Sequence, residues 1–333
     1  MRAMIDPAAL LGDLPAADLG AEAAVRARAA QVLRPFGALE RLDEIAVWLA
    51  GWQRTPTPRV DEVDAIVFAA DHGVAATGVS AYPPAVTEAM FRALRQGVAT
   101  AGVMSSSLGV DLSVVDVGVG RPTGDITVGP ALSSARFEEC WNAGREAVAS
   151  LAGPDLLVVG EMGIGNTTAA AAVCAGLFGG DAEMWTGLGT GVGEEALERK
   201  KAAVDAARLR VEGAPPLQVL RQVGGSELVA IAAAVAEARA RSIPVVLDGF
   251  VVSAACAALE AARPGALAHA IAGHCSAEPG HRLLLDKLGK LPILDLGMRL
   301  GEASGALAAV PLIRLAARCV IDVATFEEWG LSR

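Results

Sequence analysis

The sequence predicts an α/β protein: a Rossmann-like parallel sheet flanked by helices, with a smaller helical domain beside it. Two observations carry this prediction. Short runs rich in Val, Ile or Leu each end in Gly or Asp, and alanine-rich helical segments follow most of them. Such continuous apolar runs are typical of strands buried on both faces of a parallel sheet, which helical crossovers connect. With 53% hydrophobic residues, the 333-residue chain can bury a large core.

The elements follow in order along the chain. Residues 17–53 are predicted to be helical, because apolar positions recur every three or four residues in AEAAVRARAAQVL and LERLDEIAVWLAGW, with a turn at RPFG. After a proline-spaced linker, strands are predicted in AIVFAADHG, LSVVDVGVG, LLVVGEMGIG, EMWTGLGTG and PVVLDGF. After Gly301 the chain returns to helix. We therefore divide it into an N-terminal helical part of the small domain (1–58), a parallel α/β large domain (59–300) and C-terminal helices that complete the small domain (301–333).

Composition and charge bear on whether the protein binds nucleic acid, a membrane or only small molecules. The net charge is -10, and no basic cluster is longer than the three residues at 199–201, so nucleic-acid binding is not expected. The pattern predicts no stretch of about eighteen residues suited to crossing a membrane and no export signal. The five cysteines form no CxxC pair, which is typical of buried single thiols in a reducing compartment. These observations predict a cytoplasmic protein.

Two glutamates lie in apolar surroundings, Glu161 in VVGEMGIGNTT and Glu302 in MRLGEASGA. A carboxylate in such a setting is destabilised unless it has a partner, and its pKa tends to rise. Chains keep such groups mostly where the carboxylate acts chemically. A helix cap or a salt bridge would also account for either glutamate alone. Their glycine-rich flanks favour the functional interpretation.

Glycine-rich turns predict where an anion would bind. In open α/β sheets, ligands bind beyond the carboxyl ends of the strands. GIGNTT at 163–168 follows a strand and opens a helix, so its backbone N–H groups and the helix N-terminus favour an anion, although an ordinary N-cap has the same pattern. No lysine follows these glycines, so the segment is not a P-loop. GLGTG at 187–191 is a second such turn, and Lys200 on the next helix is a candidate phosphate or carboxylate partner, or simply a solvated lysine.

Metal binding is not predicted. His274 and His281 are seven residues apart in GHCSAEPGH, and no Cys or His pair has zinc-like spacing. Hydrogen-bonding or structural roles are expected for these residues and for His72 in DHG. Asp248 suits either a cap at a strand end or a ribose ligand. A GxSxG elbow is absent from the sequence.

Taken together, the motifs resemble a known family, the nicotinate-nucleotide–dimethylbenzimidazole phosphoribosyltransferases of cobalamin lower-ligand synthesis. The matching stretches run in the family's order over roughly residues 30–315: RPFGALERLDEIAVWLAG, AADHGVAATGVSAYPPAVT, VDVGVG, VGEMGIGNTTAAAA, LDGFVVSAA, GHCSAEPGH and LGMRLGEASGA. The resemblance implies a Rossmann-like sheet with a helical domain from both termini, a homodimer, and no cofactor. It implies transfer of the phosphoribosyl group of nicotinate mononucleotide to 5,6-dimethylbenzimidazole.

The resemblance also implies residue roles. The family's catalytic base falls on Glu302, and a second catalytic glutamate falls on Glu161. The expected substrate-binding residues are Tyr82, Pro83, Met90, Gly165, Asn166, Thr167, Thr168, Gly189, Thr190, Gly191, Lys200, Asp248, Ser276, Met298 and Leu300. The chain departs from the family pattern at Phe36, Ala38, Glu40 and Ala303, which puts the shape of the base pocket in question more than the reaction.

Three other interpretations stay open at the level of sequence. A relative of the same family would use a different acceptor base. A non-catalytic nucleotide-binding homologue would keep the sheet and the anion sites without turnover. A NAD-dependent dehydrogenase is indicated only by glycine-rich turns, and the chain lacks a GxGxxG after its first strand with an acidic residue about twenty positions on.

Overall fold

The computed structural model describes residues 11–12, 14–189, 191 and 193–331. Its centre is a five-stranded sheet in the order β2-β1-β3-β4-β5, in which every neighbouring pair is parallel. The strands are β1 (Val63–Ala70), β2 (Asp111–Gly118), β3 (Leu156–Met162), β4 (Val245–Leu247) and β5 (Ala270–Ala272). The predicted α/β class and parallel sheet are therefore confirmed.

Helices cover both faces of the sheet. In chain order they are α1 (Leu19–Ala29), α2 (Glu40–Gln53), α3 (Val86–Arg95), α4 (Thr100–Leu108), α5 (Ser134–Ala149), α6 (Asn166–Phe178), α7 (Ala182–Trp185), α8 (Glu194–Arg210), α9 (Pro216–Val223), α10 (Ser226–Ala240), α11 (Phe250–Ala262), α12 (Pro279–Lys287) and α13 (Ser304–Ile321), with a 3-10 helix at Gly73–Thr77. Side chains alternate across each strand. Ile66 and Phe68 therefore pack with α5, α10 and α11, whereas Ala65 and Val67 pack with α2 and α13.

One predicted strand is wrong and one strand was missed. The predicted strand EMWTGLGTG starts instead within the short helix α7, because Asp181 caps this helix by accepting from the Met184 N–H and Trp185 is fully buried. The edge strand β5 is only three residues long, AIA, and lies in an alanine-rich stretch. Its run is too short to stand out from its neighbours in the sequence.

The helices from the two ends of the chain pack together. Arg28 of α1 donates to the carbonyl oxygens of Val320 at 2.9 Å and of Ile321 at 3.1 Å, at the end of α13. Helix α13 also packs Leu307 and Ile313 into the same cluster as the sheet residues. The small helical unit thus shares its core with the sheet, and the proposed domain boundaries stay a prediction.

Helix α13 also corrects the expectation about apolar stretches. By length and composition alone, Ser304–Ile321 is apolar enough to cross a membrane, and its two arginines did not prevent this. However, 56% of the segment is buried inside the protein, where it covers one face of the sheet. Packing against that face accounts for its apolar character.

Candidate active site

The candidate site lies where the strand order reverses. Strand β1 pairs with β2 on one side and with β3 on the other, and such switch points open a crevice at the carboxyl ends of the strands. A cleft opens beside this point, between the ends of β3, β4 and β5. Six predicted site residues line it: Glu161, Asn166, Thr167, Gly189, Ser276 and Leu300. Among the lining residues that were not predicted are His274, Glu278, Arg299 and Gly301.

Glu161 is held at the end of β3, in register with Phe68 of β1. Its side chain is buried, and the Asn166 amide, at the start of α6, donates a hydrogen bond to its Oε2. The Oε1 atom faces the backbone of Gly301, where a Cβ would lie 2.5 Å away. Glycine at 301 is therefore required for this approach, which joins the two glutamate motifs in space.

Burial, together with the negative charges of Asp248 and Glu227, raises the pKa of Glu161 to about 8 against the opposing Asn166 hydrogen bond. Below about pH 8 the side chain is therefore a neutral acid in the ligand-free protein. A neutral carboxyl can donate its O–H to a ligand hydroxyl as well as accept a hydrogen bond.

Glu302 stands on strained backbone. Gly301, Glu302 and Ala303 have φ values of 85°, 59° and 64°, three left-handed residues in a row directly before α13. This conformation is costly for residues with a Cβ, by about 1–3 kcal/mol each, and such strain clusters at active sites. The Glu302 N–H donates to the Glu161 carbonyl oxygen at 3.1 Å, so the two catalytic candidates are locked together through the backbone.

The Glu302 carboxyl is buried and only partly satisfied. The Ala101 backbone N–H, in the first turn of α4, hydrogen-bonds it, whereas its Oε2 is buried without a partner. Burial raises its pKa, the Ala101 hydrogen bond opposes the rise, and the charge of Asp248 adds to it. Glu302 does not line the cleft itself, and its carboxyl faces the first turn of α4. An acidic N–H placed against Oε2 would complete its hydrogen bonding.

The two predicted anion-binding turns converge. A Cβ on Gly189 would lie 3.0 Å from the Lys200 Nζ and 3.1 Å from the Thr167 Oγ1, so the ammonium and the first turn of α6 meet at one wall of the cleft. The Lys200 Nζ donates to the Gly187 carbonyl oxygen at 2.9 Å. Burial lowers the pKa of Lys200 to about 8, and Glu278 partly opposes this. Lys200 is therefore buried at the site and not a solvated lysine.

Sequence reasoning missed two charged residues at this wall. Arg299 Nη1 donates to the Gly189 carbonyl oxygen at 2.9 Å, and Glu278 Oε1 accepts from the Gly189 N–H at 2.8 Å. Both hold the backbone of the second turn from opposite sides. Each stands inside a motif that had been singled out, MRLGE and GHCSAEPGH, so their position in those motifs was the available signal.

Several predicted residues lie outside the cleft lining. Tyr82 and Pro83 are exposed, Met90 lies on α3, and Met298 is bound through its carbonyl to the Ala277 N–H. Thr168 is fully buried beneath the first turn of α6. Gly165 and Gly191 adjoin the lining, both with positive φ, and Thr190 lies outside the described residues.

One buried hydrogen bond connects the first turn of α3 with the cleft. The Ile164 N–H donates to the Oγ1 of Thr87 at 3.2 Å, and Thr87 is fully buried. Met90 and Met162 pack in the same apolar cluster, and Met162 also lines the cleft. The segment 82–90 is thus an apolar neighbour of the glycine turn.

Asp248 acts as a cap in the structure. Its Oδ1 accepts from the Gly305 and Ala306 N–H groups, at 2.8 and 2.9 Å, at the start of α13. Of the two interpretations of Asp248, the geometry favours the cap, and its ribose contact stays a prediction. His274 packs beside it, with 3.8 Å between Nε2 and the Asp248 Oδ1.

His281 has a structural role. The Ser276 N–H donates to its Nδ1 at 2.8 Å, so Nε2 carries the proton and donates to the Ser253 Oγ at 3.0 Å. Burial lowers the pKa of His281 to about 3, which keeps the ring neutral. Across residues 11–12, 14–189, 191 and 193–331, no group of three or more His, Cys, Asp or Glu side chains could hold a metal ion.

Comparison with known proteins decides the family. A family model described as phosphoribosyltransferase matches residues 14–331. A protein of Methylocella silvestris named nicotinate-nucleotide–dimethylbenzimidazole phosphoribosyltransferase is 50% identical over 321 residues, which are 96% of this chain and 94% of that one. A protein of the same name from Cereibacter sphaeroides is 48% identical, over 97% of this chain and 96% of its own. The chain belongs to the nicotinate-nucleotide–dimethylbenzimidazole phosphoribosyltransferase family.

Solved structures agree with this family and with the fold. CobT from Thermus thermophilus is 43% identical, covers 94% of this chain and 99% of its own, and superposes with a TM-score of 0.90. A second structure, of the phosphoribosyltransferase from the same organism, is 42% identical with the same TM-score of 0.90. The family resemblance inferred from the motifs is confirmed.

The departures from the family pattern have a clear location. Phe36 is 81% exposed, Ala38 is exposed and Glu40 begins α2, so none of the three lines the cleft. Ala303 is different, because it adopts a left-handed φ of 64° where the family pattern has glycine. This residue carries strain directly beside Glu302.

We expect Glu161→Gln to stabilise the protein, and more so at higher pH. The folded-state pKa of about 8 exceeds the unfolded value, so the stability that depends on the bound proton is present below about pH 4.5 and is lost as the pH rises through 8. Glutamine has no such dependence and can still accept from Asn166. The excess Tm of the variant over wild type should therefore grow between about pH 5 and about pH 8, by roughly 2–4 °C per kcal/mol.

Thermal unfolding at both pH values measures this excess. Glu260→Gln is the control, since Glu260 accepts from the Gly265 and Leu267 N–H groups in a loop outside the cleft lining. An excess Tm that is the same at both pH values would contradict the raised pKa of Glu161.

Proposed function

We propose that the protein transfers the 5-phosphoribosyl group of nicotinate mononucleotide to 5,6-dimethylbenzimidazole, giving α-ribazole 5′-phosphate and nicotinate. The names of its relatives support this reaction. The observation that carries the proposal is the pairing of Glu161 and Glu302: two buried carboxyl groups, joined by a backbone hydrogen bond, beside an anion-binding turn.

The reaction requires one general base and correct positioning of the two substrates. The donor nitrogen of nicotinate mononucleotide is already cationic, so its departure needs no proton. The acceptor loses an N–H proton as its other nitrogen attacks C1′. A carboxylate whose pKa is raised by burial suits this proton transfer near neutral pH. Glu302 has the raised pKa and an unpartnered Oε2, and we assign the base to it.

The phosphate of the donor would bind at the wall formed by Lys200, Arg299 and the first turn of α6. Lys200 and Arg299 each use one N–H on a carbonyl of the 187–189 turn, and their other N–H groups remain for an anion. The N-terminus of α6 adds partial positive charge.

Glu161 would bind the ribose. It is a neutral acid in the ligand-free protein below about pH 8, and its Oε1 faces the Gly301 edge of the cleft. A neutral carboxyl fits a hydrogen bond with a ribose hydroxyl better than it fits charge stabilisation of the sugar. Of its two possible roles, the raised pKa therefore favours hydroxyl binding.

The acceptor base would enter from the side of segment 80–90. The change from β to α anomer requires attack opposite nicotinate, so the two aromatic rings lie on opposite sides of the ribose. Tyr82, Pro83 and Met90 stand on this segment, and the family resemblance assigns Leu300 and Met298 to the same base pocket. Correct positioning of two reactants can contribute up to about 7–11 kcal/mol to catalysis.

A direct product assay tests the reaction. Purified protein is incubated with nicotinate mononucleotide and 5,6-dimethylbenzimidazole, and mass spectrometry measures α-ribazole 5′-phosphate against nicotinate released. Equal amounts of both products are expected. Parallel incubations with adenine, other benzimidazoles and phenols identify a different preferred acceptor, if one exists. Calorimetric binding of both substrates without any product would instead favour the non-catalytic homologue.

We further propose a homodimer in the cytoplasm. Exposed apolar side chains beside the cleft support the dimer, with Leu296 at 65% and Leu300 at 52% exposure, and five free cysteines suit a reducing compartment. Light scattering of the purified protein should give twice the chain mass of 33.9 kDa. A mass of one chain at working concentration would exclude the dimer.

A further inference from the structure

A buried hydrogen-bonded pair, His72 and Glu227, packs against the glycine turn of the cleft. His72 follows β1, and Glu227 stands in the first turn of α10. The His72 Nε2 and the Glu227 Oε1 are 2.5 Å apart, and both side chains are completely buried. Neither residue lines the cleft, and the proposed reaction assigns no role to either.

The pair fits tightly against two glycines. A Cβ on Gly163 would lie 3.1 Å from the Glu227 Oε1 and 3.3 Å from the His72 Cδ2. A Cβ on Gly225 would lie 2.3 Å from the His72 Cε1. Gly163 opens the turn that leads into α6 and lines the cleft. The pair therefore packs directly against the backbone of the anion-binding turn.

Stability is a poor explanation for this pair. Burying two polar side chains takes them out of water, and apolar side chains of similar volume often stabilise a protein as well or better. The pair also leaves two buried polar atoms without partners, the His72 Nδ1 and the Glu227 Oε2. A buried pair that leaves two polar atoms without partners therefore calls for a role other than stability.

Charge links the pair to Glu161. Burial is the largest cause of the raised pKa of Glu161. The negative charges of Asp248 and Glu227 come next, and Glu302 contributes less. The titratable groups around it come from every neighbouring element: Asp248 after β4, Glu227 in α10, Glu302 before α13, His72 behind Glu227, His274 against Asp248, and Glu278 and Arg299 at the cleft wall. Two of these carboxyl groups face a buried histidine, and Glu227 has the closer contact, 2.5 Å to His72 against 3.8 Å between Asp248 and His274.

We propose that the His72–Glu227 pair is a positioning element: packed against Gly163 and Gly225, it supports the 163–165 turn and places the Glu227 carboxyl group near Glu161. Glu161 then meets the ribose as a hydrogen-bond donor. The proton stays on Glu161 throughout, so no further group is required. This inference rests on the proposed function for the identity of the ligand, but its electrostatic part concerns Glu161 alone.

Two variants test it. Glu227→Gln removes the charge and keeps the shape, and His72→Leu/Glu227→Met replaces the pair by apolar side chains of similar volume, which should fold even where the single variant does not. Carbon-13 NMR follows the titration of the Glu161 carboxyl, assigned by its loss in Glu161→Gln. The midpoint should move down by roughly half a pH unit or more in both variants, because a like charge has been removed. KM for nicotinate mononucleotide should rise, with its pH dependence displaced by the same amount, and kcat should change less.

His269→Asn is the matched control. His269 is also fully buried and is bonded to the Val235 carbonyl oxygen at 3.0 Å, before the amino end of β5. This variant should lose stability without moving the Glu161 midpoint. An unmoved midpoint in folded Glu227→Gln and in the double variant overturns the inference. Because the NMR titration needs no turnover, a moved midpoint in a protein that makes no product would refute the reaction and leave the role of the pair intact.

Discussion

Glu302→Gln is expected to lower kcat by roughly 10²–10⁴-fold, the usual contribution of a positioned general base. The amide keeps the size of the side chain and the hydrogen bond from the Ala101 N–H, but it cannot take the acceptor proton. Binding of both substrates should persist within a few-fold. Steady-state turnover with calorimetry of each substrate measures the two effects separately.

The control for this variant is Glu260→Gln, a carboxyl bound to backbone N–H groups outside the cleft lining. It should retain turnover. Acceptor analogues with lower N–H pKa values should recover part of the lost rate in Glu302→Gln, since they depend less on a base. Near-normal kcat in Glu302→Gln would remove this residue from the role of base.

The second large effect is expected for Lys200→Met. A hydrogen bond to a charged group contributes about 1.5–3 kcal/mol, so losing this buried ammonium should raise KM for nicotinate mononucleotide roughly 10–100-fold. Burial sets the pKa of Lys200 at about 8, so the wild-type KM should rise as the pH passes that value. This pH dependence should vanish in the variant.

Lys201→Met is the matched control, because it is the next residue of the same helix. Lys201 pairs instead with Glu183 at 2.5 Å and Glu198 at 3.1 Å, away from the cleft. The KM of Lys201→Met for nicotinate mononucleotide should stay close to the wild-type value. An equal rise in KM for both variants would show that the helix, and not the buried ammonium, is responsible.

Much of the site could be predicted because its chemistry is local. Asn166 and Thr167 occupy the first turn of a helix after a glycine turn, and that pattern alone predicts their N–H groups at a ligand site. Glu161 stands at the end of a buried strand, and Glu302 stands among glycines. In each case, neighbours in sequence are neighbours in space.

The remainder depends on contacts between distant segments. Asp248 binds backbone N–H groups 57 and 58 residues further along, so its cap could not be read from its own surroundings. Glu227 lies in an alanine-rich helix with nothing nearby to mark its partner, 155 residues earlier. Arg299 and Glu278 resemble solvated charges until the turn at Gly189 brings them together.

The false strand at 183–191 has a related cause. EMWTGLGTG is apolar and ends in glycine like the true strands, but Asp181 begins a helix there and Trp185 donates from Nε1 to the Gly179 carbonyl oxygen at 2.8 Å. The hydrogen bond from Trp185 to the Gly179 carbonyl oxygen stabilises a compact turn here, although the apolar run alone would predict a strand. Composition alone does not distinguish the two outcomes.

The left-handed run at 301–303 bears on how new acceptor bases would be selected. The left-handed backbone sets the direction of the Glu302 Cα–Cβ bond, and Asp at 302 would withdraw the carboxyl by one methylene. Substitutions at residues 301–303 are therefore expected to misplace the Glu302 carboxyl before they change which acceptor base is preferred. Laboratory evolution toward other heterocycles would do better to randomise the exposed approach around Tyr82, where sequence changes leave the proton acceptor in place.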